Sequence, residues 1–226
     1  MRPIEADWIR EALLEIGPGT ASPVANVGSS TGEFRSVRKP HIEERLFHPL
    51  RQAGFEIVHI DMKQADGVDL VGDLTDPAFL ARVRATGCRS VICSNLLEHL
   101  ARRDDLLRAC EALVAEDGVM VLTVPYSYPY HPDPIDTMYR PSPAELARAM
   151  PSLEMARSEI LSDGTLIDEV HRGRGAAAFA YWPKAVARSL RLWRPREALA
   201  QLHRLTWTVR QFKVTCVVFR RRPAAT

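Results

Sequence analysis

The feature that most constrains this chain is an apolar run that ends in a glycine turn, Val24-Ala25-Asn26-Val27-Gly28-Ser29-Ser30-Thr31-Gly32-Glu33-Phe34. About thirty residues later a second apolar run, Phe55 to Ile60, ends in Asp61. A buried strand, a glycine turn and a second strand closed by a carboxylate are how α/β folds hold an adenosine-containing cofactor. Glycine lets the backbone approach a ligand closely, and a carboxylate accepts hydrogen bonds from ribose hydroxyls. The turn lacks the third glycine of a pyrophosphate-binding G-x-G-x-x-G, and Ser30 stands where the middle glycine belongs. No arginine or lysine lies inside the turn, which suits a sulfonium amino acid better than a phosphate.

Apolar periodicity sets the rest of the framework. Ile4, Trp8, Ile9, Leu13 and Ile16 recur at helical spacing and stop at Gly17-Pro18-Gly19. A strand is expected at about 23–27, and after the glycine turn Ile42, Leu46 and Leu50 form a helical pattern that Pro49 should kink or end. Asp76-Pro77 reads as N-cap and first residue of a helix with Phe79, Leu80 and Val83 inward. Ser90 to Cys93 is a strand, and Asp104 or Asp105 is expected to cap the helix that carries Leu106, Leu107, Cys110, Leu113 and Val114. Val119 to Val124 is a continuous apolar run, as in a central parallel strand covered on both faces. Ser142-Pro143-Ala144-Glu145 is a capping box, and Glu154 to Ile160 and Val214 to Phe219 are the last strands. Alternating strands and helices imply an α/β, doubly wound, mostly parallel sheet whose ligand lies at the carboxyl ends of the strands.

Downstream of Asp61 come Val68-Asp69-Leu70-Val71-Gly72-Asp73-Leu74 and Ser94-Asn95-Leu96-Leu97-Glu98-His99-Leu100. With these segments in order, the run from Val24 to about Pro125 resembles the class I S-adenosylmethionine-dependent methyltransferases. The resemblance implies a Rossmann-like, seven-stranded sheet with an antiparallel last strand, and S-adenosyl-L-methionine as cofactor. It also implies roles for particular residues. Gly28, Ser30 and Gly32 would pass beneath the methionine half of the cofactor, with Asn26 where the family often has an acid. Asp61 would receive the ribose hydroxyls, and Met62, Asp73 and Leu74 would meet the adenine. Asn95 and Leu96 would border the transferring methyl group, with His99 as the base of that segment.

The segment after the fifth strand, residues 126–141, reads as a proline-stiffened substrate lid carrying Tyr126, Tyr128, Tyr130, His131, Asp133, Asp136, Tyr139 and Arg140. His131 is a second possible base. His131, Asp133 and Asp136 also admit a divalent-metal reading, but hydrogen bonding is the simpler role, and no metal site is assigned.

The chain has 226 residues, enough for one domain over 1–226. From Thr165 onward there are 13 Lys and Arg against 3 Asp and Glu, a net +10, whereas the first part carries −8. Residues 165–212 therefore read as a basic helical insert before the last strand. Trp182, Leu190, Leu192, Trp193 and Leu199 among its arginines suit a helical cap, a second copy in a homodimer, or an anionic membrane surface. Nucleic acid is disfavoured because no reading motif accompanies the charge. Cys88, Cys93, Cys110 and Cys216 form no C-x-x-C pair and read as reduced, buried thiols of a cytoplasmic protein, peripheral to the inner membrane if the insert attaches there. The reading is an O-methyltransferase of a small molecule or saccharide in a bacterial cell-surface glycan or secondary-metabolite pathway. The alternatives are a catalytically degenerate scaffold and a tRNA or protein methyltransferase.

Overall fold

The computed structural model describes residues 1–131, 135–174 and 205–221, together with Pro183, Ala187, Leu202 and His203. Seven strands, β1 (Val24–Val27), β2 (Ile57–Asp61), β3 (Leu70–Val71), β4 (Ser90–Ser94), β5 (Val119–Ser127), β6 (Leu153–Ser162) and β7 (Lys213–Arg221), form one sheet in the order β3-β2-β1-β4-β5-β7-β6. Strands β1 to β5 are parallel, and β7 runs antiparallel to both β5 and β6. The described helices are α1 (Pro3–Ile16), α2 (Pro18–Ala21), α3 (Pro40–Ile42), α4 (His48–Gln52), α5 (Pro77–Arg84), α6 (Arg103–Leu113), α7 (Pro143–Ala149) and α8 (Leu166–Arg174).

The apolar run of β5 is divided between the two faces of the sheet. Val119 and Val121 pack with Trp8, Ile9 and Leu13 of α1 and with Leu50 of α4. Met120, Leu122 and Val124 pack with Val83 of α5, Leu107, Cys110 and Leu113 of α6, and Leu146 of α7. Each fully buried aliphatic side chain contributes about 1.5–3 kcal/mol, so a strand buried on both faces anchors the fold. The chain leaves the sheet in opposite directions after β1 and after β4, and the cleft lies at that divergence.

Local signals account for most helix boundaries. Asp76 caps α5 by accepting from the Ala78 N–H at 3.1 Å. Ser142 and Glu145 form the expected box at α7, with the Ser142 N–H donating to Glu145 at 2.8 Å. The expected cap of α6 is corrected: Arg102 occupies the N-cap, and Asp104 and Asp105 lie in the first turn. There they face the positive end of the helix, and Asp105 pairs with Arg108.

Pro49 does not end the helical run: it sits in the first turn of α4, which follows the preceding helical segment directly. A π-helical segment, Glu43–Phe47, widens the backbone just before it. The Arg45 carbonyl, which would accept from residue 49 in an α-helix, instead accepts from the Arg10 guanidinium at 2.8 Å.

The four cysteines are free, and Cys93, Cys110 and Cys216 are buried. Of the tryptophans in 165–212, Trp207 packs with Leu166, Val170 and Phe212 in a small separate cluster. Trp182, Leu190, Leu192, Trp193 and Leu199 lie outside the described residues. Among the described residues, no helix is long and apolar enough to cross a membrane.

Candidate active site

A cavity of about 1330 Å³ opens at the carboxyl ends of β1, β2 and β4. Single small ligands occupy pockets of roughly 300–1,000 Å³, so this space is larger than one such ligand fills. Asn26, Gly28, Ser30, Asp61, Met62, Asp73, Leu74, Asn95 and Leu96 all line it, as do Tyr128, His99 and His131.

The floor is built by the turn after β1. Gly28 has φ +71°, and a Cβ there would stand 2.6 Å from Leu96 Cδ2, so glycine is required twice over. Ser30 holds φ +54°, and its N–H donates to Asp61 Oδ2 at 2.7 Å. Asp61 Oδ1 accepts from the Lys63 N–H at 3.0 Å. Each carboxylate oxygen keeps a lone pair for a further donor. Gly32 is not among the residues lining the cavity; its N–H donates to the Asp66 carbonyl at 2.8 Å, and a Cβ would crowd that oxygen.

Two supports of this floor were not apparent from sequence. Buried Arg35 donates to the Ser29 and Ser30 carbonyls at 2.9 and 2.7 Å, fixing the backbone of the turn. The Asn26 amide donates to His59 Nδ1 at 3.0 Å. His59 is neutral and able to accept because burial, helped by Arg35 and Arg51, lowers its pKa to about 3. At the rim, Met62 is exposed, Leu74 is buried, and Asp73 turns back to accept from the Thr75 N–H and hydroxyl.

The strand ends are bridged by a residue that the sequence reading passed over. Glu5 of α1 is fully buried and accepts from Ser94 Oγ at 2.9 Å, Asn95 Nδ2 at 2.6 Å and the Thr123 hydroxyl, while its second oxygen accepts from the Arg2 N–H at 3.0 Å. The available signal was an acid on the buried stripe of α1, in helical register with Ile9 and Leu13.

The far end of the cavity joins the turn after β4 to the loop after β5. Glu98 is fully buried, and burial pushes its carboxyl up to about 7 despite the neighbouring His99. Its Oε1 lies 3.7 Å from His99 Nε2 and 3.9 Å from His131 Nε2. The two imidazoles meet edge to face, with centroids 5.3 Å apart.

Asp136 is bound by Arg140 through both oxygens, at 3.1 and 2.7 Å, and accepts from the His131 and Met138 N–H groups. Burial alone would raise the Asp136 pKa, but these donors hold it at about 2. Asp136 and Arg140 therefore brace the loop, whereas Tyr128 enters the cavity with its ring 4.9 Å from that of His131. Tyr126 and Tyr130 are exposed, and Tyr139 packs beneath Arg103 with the guanidinium 4.2 Å from its ring. None of these three is among the lining residues, and Asp133 lies outside the described residues.

A parallel five-stranded core extended by β7, inserted antiparallel between β5 and β6, with its cleft at the strand ends, is the class I S-adenosylmethionine-dependent methyltransferase fold. Solved structures share it. A 1,6-didemethyltoxoflavin-N1-methyltransferase from Burkholderia thailandensis, with 1,6-didemethyltoxoflavin and S-adenosylhomocysteine bound, is 12% identical over 98% of this chain and 78% of that one, with TM-score 0.54. A cyclopropane-fatty-acyl-phospholipid synthase-like protein from Lactobacillus casei is 13% identical over 96% and 90%, with TM-score 0.57. A SAM-dependent methyltransferase from Archaeoglobus fulgidus is 11% identical over 97% and 95%, with TM-score 0.55. No family model and no curated protein matches the sequence. At these identities the likeness defines the fold alone.

Proposed function

We propose that the protein is an S-adenosylmethionine-dependent methyltransferase that acts on a small polyhydroxylated acceptor, a saccharide being the preferred case, with transfer to oxygen. The observation that carries this reading is the free acceptor capacity of Asp61, held by Ser30 and Lys63 opposite the Gly28 turn. Two lone pairs on one carboxylate fit the two hydroxyls of a ribose. Leu74 and Leu96 supply apolar contact for a purine, and Asn95 borders the passage to the second compartment. The cofactor, when bound, supplies an electrophilic methyl group on a cationic sulfur. The chain's own task is then alignment and exclusion of water. Tyr128 gives the acceptor an aromatic wall, and His99 and His131 give it a polar end. The Burkholderia thailandensis structure holds a small molecule beside S-adenosylhomocysteine, which supports a two-ligand cleft.

The test is a thermal-shift titration with S-adenosylhomocysteine, with NAD as control. At 100 times its dissociation constant a ligand adds about 2.7 kcal/mol, or roughly 5–10 °C for a domain of this size. A folded chain that responds to neither compound, or to NAD alone, defeats the proposal. Asp61→Ala is expected to weaken S-adenosylhomocysteine binding by about 1.5–3 kcal/mol in calorimetry. Unchanged affinity would remove Asp61 from the site.

A further inference from the structure

We propose that Glu98, His99 and His131 form a divalent transition-metal site at the acceptor end of the cleft. This departs from the sequence expectation, which assigned no metal ligands and considered Asp133 and Asp136 beside His131. The use of the ion rests on the methyltransferase reading, but its binding does not.

The argument is one of donors and acceptors. His99 Nδ1 is hydrogen-bonded to the Ile135 carbonyl, so in the neutral imidazole that nitrogen carries the proton and Nε2 presents a lone pair. His131 Nδ1 lies 3.1 Å from the Pro129 carbonyl and 3.2 Å from Asp136 Oδ2, which fixes the same tautomer. Both Nε2 lone pairs therefore approach Glu98 Oε1, at 3.7 and 3.9 Å. Beyond the pull of its own backbone N–H, neither oxygen of Glu98 receives a hydrogen bond among the described residues, although the side chain is fully buried. Acceptors converging in a buried space repel unless something positive lies between them. A proton on Glu98 can satisfy one imidazole at a time, whereas a cation satisfies all three groups together.

The dimensions and the surroundings agree with an ion. The three donor atoms lie within 4.8 Å of one another. Ligands about 2.0–2.2 Å from one ion stand roughly 3–3.5 Å apart, so the widest gap closes around it by no more than about 1–2 Å. Both histidines are backed on Nδ1, and the Asp136 behind His131 is itself clamped by Arg140. That is the supporting shell that orients metal-binding imidazoles. The Glu98 carbonyl accepts from the Thr137 N–H at 2.8 Å and the Thr137 hydroxyl at 3.1 Å, tying the two ligand-bearing segments together. Two imidazoles and one carboxylate favour zinc, manganese, iron(II) or cobalt(II) over magnesium or calcium. Because His99 and His131 line the cavity and Glu98 lies behind them, the remaining coordination positions face the acceptor compartment. They suit an acceptor with two adjacent oxygen donors.

The test is titration of the chelator-treated full chain with Co²⁺, read by visible d–d absorption and by calorimetry. One equivalent is expected to bind and to be displaced by Zn²⁺. Glu98→Gln, which preserves side-chain volume, and His131→Ala, at a half-buried loop position, are each expected to weaken binding at least tenfold. Asp136→Asn is expected to weaken it by roughly 10–100-fold through its support of His131. Absence of a stoichiometric complex, or binding unchanged by both Glu98→Gln and His131→Ala, overturns the site. The S-adenosylhomocysteine shift, measured on the same metal-free chain, reports separately on the methyltransferase reading.

Discussion

Glu5 and Glu98 are both fully buried beside the same cleft, yet their surroundings differ in kind. Glu5 reaches from α1 to the ends of β4 and β5 and accepts from two hydroxyls, a side-chain amide and a backbone N–H. Glu98, on the turn after β4, receives no hydrogen bond from another residue among the described residues and has the Nε2 atoms of two imidazoles at 3.7 and 3.9 Å. A buried carboxylate with a complete set of donors fixes structure, because removing it strands every donor. One that lacks them costs stability as it stands, a cost that a bound cation of the proposed kind would offset. Burial alone does not separate these two roles; the hydrogen-bond partners do.

Substitution breaks the comparison most directly. Glu5→Leu is expected to cost about 3–5 kcal/mol in denaturant unfolding, since three side-chain donors lose their acceptor. A loss below 1 kcal/mol would erase the distinction. Glu98→Met should have the opposite sign in chelator-treated protein, a gain of roughly 1–3 kcal/mol, because an unpartnered buried carboxylate is replaced by an apolar side chain of similar size. A loss of stability there would show that Glu98 has partners of its own. The most gradual effect, spread over several pH units, concerns the partnered half of the cleft. The folded pKa of His59, about 3, lies below its ordinary value of 6.5. As pH falls through 6.5 the unfolded chain takes up a proton that the folded chain refuses, so stability declines between pH 6.5 and 3. The slope reaches at most about 1.4 kcal/mol per pH unit. Unfolding measured across that window should be flatter in His59→Asn, and equal slopes would mean that His59 is not held neutral.

The same contrast explains what could be read from the sequence. The Gly28 turn, the Asp61 strand end, the Asp76 cap and the two-faced run of β5 are set by residues adjacent in the chain, and local pattern conveys them. Asp104 and Asp105 were read as caps because residue type marks a helix start without fixing its first residue. Pro49 was read as a breaker because its rescue comes from Arg10, on another helix. Glu5 and Arg35 were missed for a related reason: their partners are carbonyls and side chains that only the folded sheet brings near. The cluster of Glu98 and the two histidines was visible only in halves. The adjacent pair stood in one motif and His131 in another loop, and no spacing rule links them. Asp136 and Arg140 were taken for substrate contacts because a charged pair on a loop looks the same whether it faces a ligand or its own backbone.

The reach of Glu5 has a consequence for motion. Its contacts with Ser94 and Thr123 span 89 and 118 residues, so this side chain adds a polar tie at the cleft wall to the apolar packing that Trp8, Ile9 and Leu13 give the first helix. The strands beneath are held by their own ladders and by two apolar clusters, and they do not need that tie to stay paired. A helix that lifts by a turn at its amino end would uncover the strand ends while leaving the sheet closed. Amide exchange in the first turn of α1 and at the ends of β4 and β5 should therefore share one opening, cheaper than global unfolding. Glu5→Gln, which weakens that tie without emptying the space, should then speed exchange at these amides together, and an effect confined to one of them would mean that they open independently.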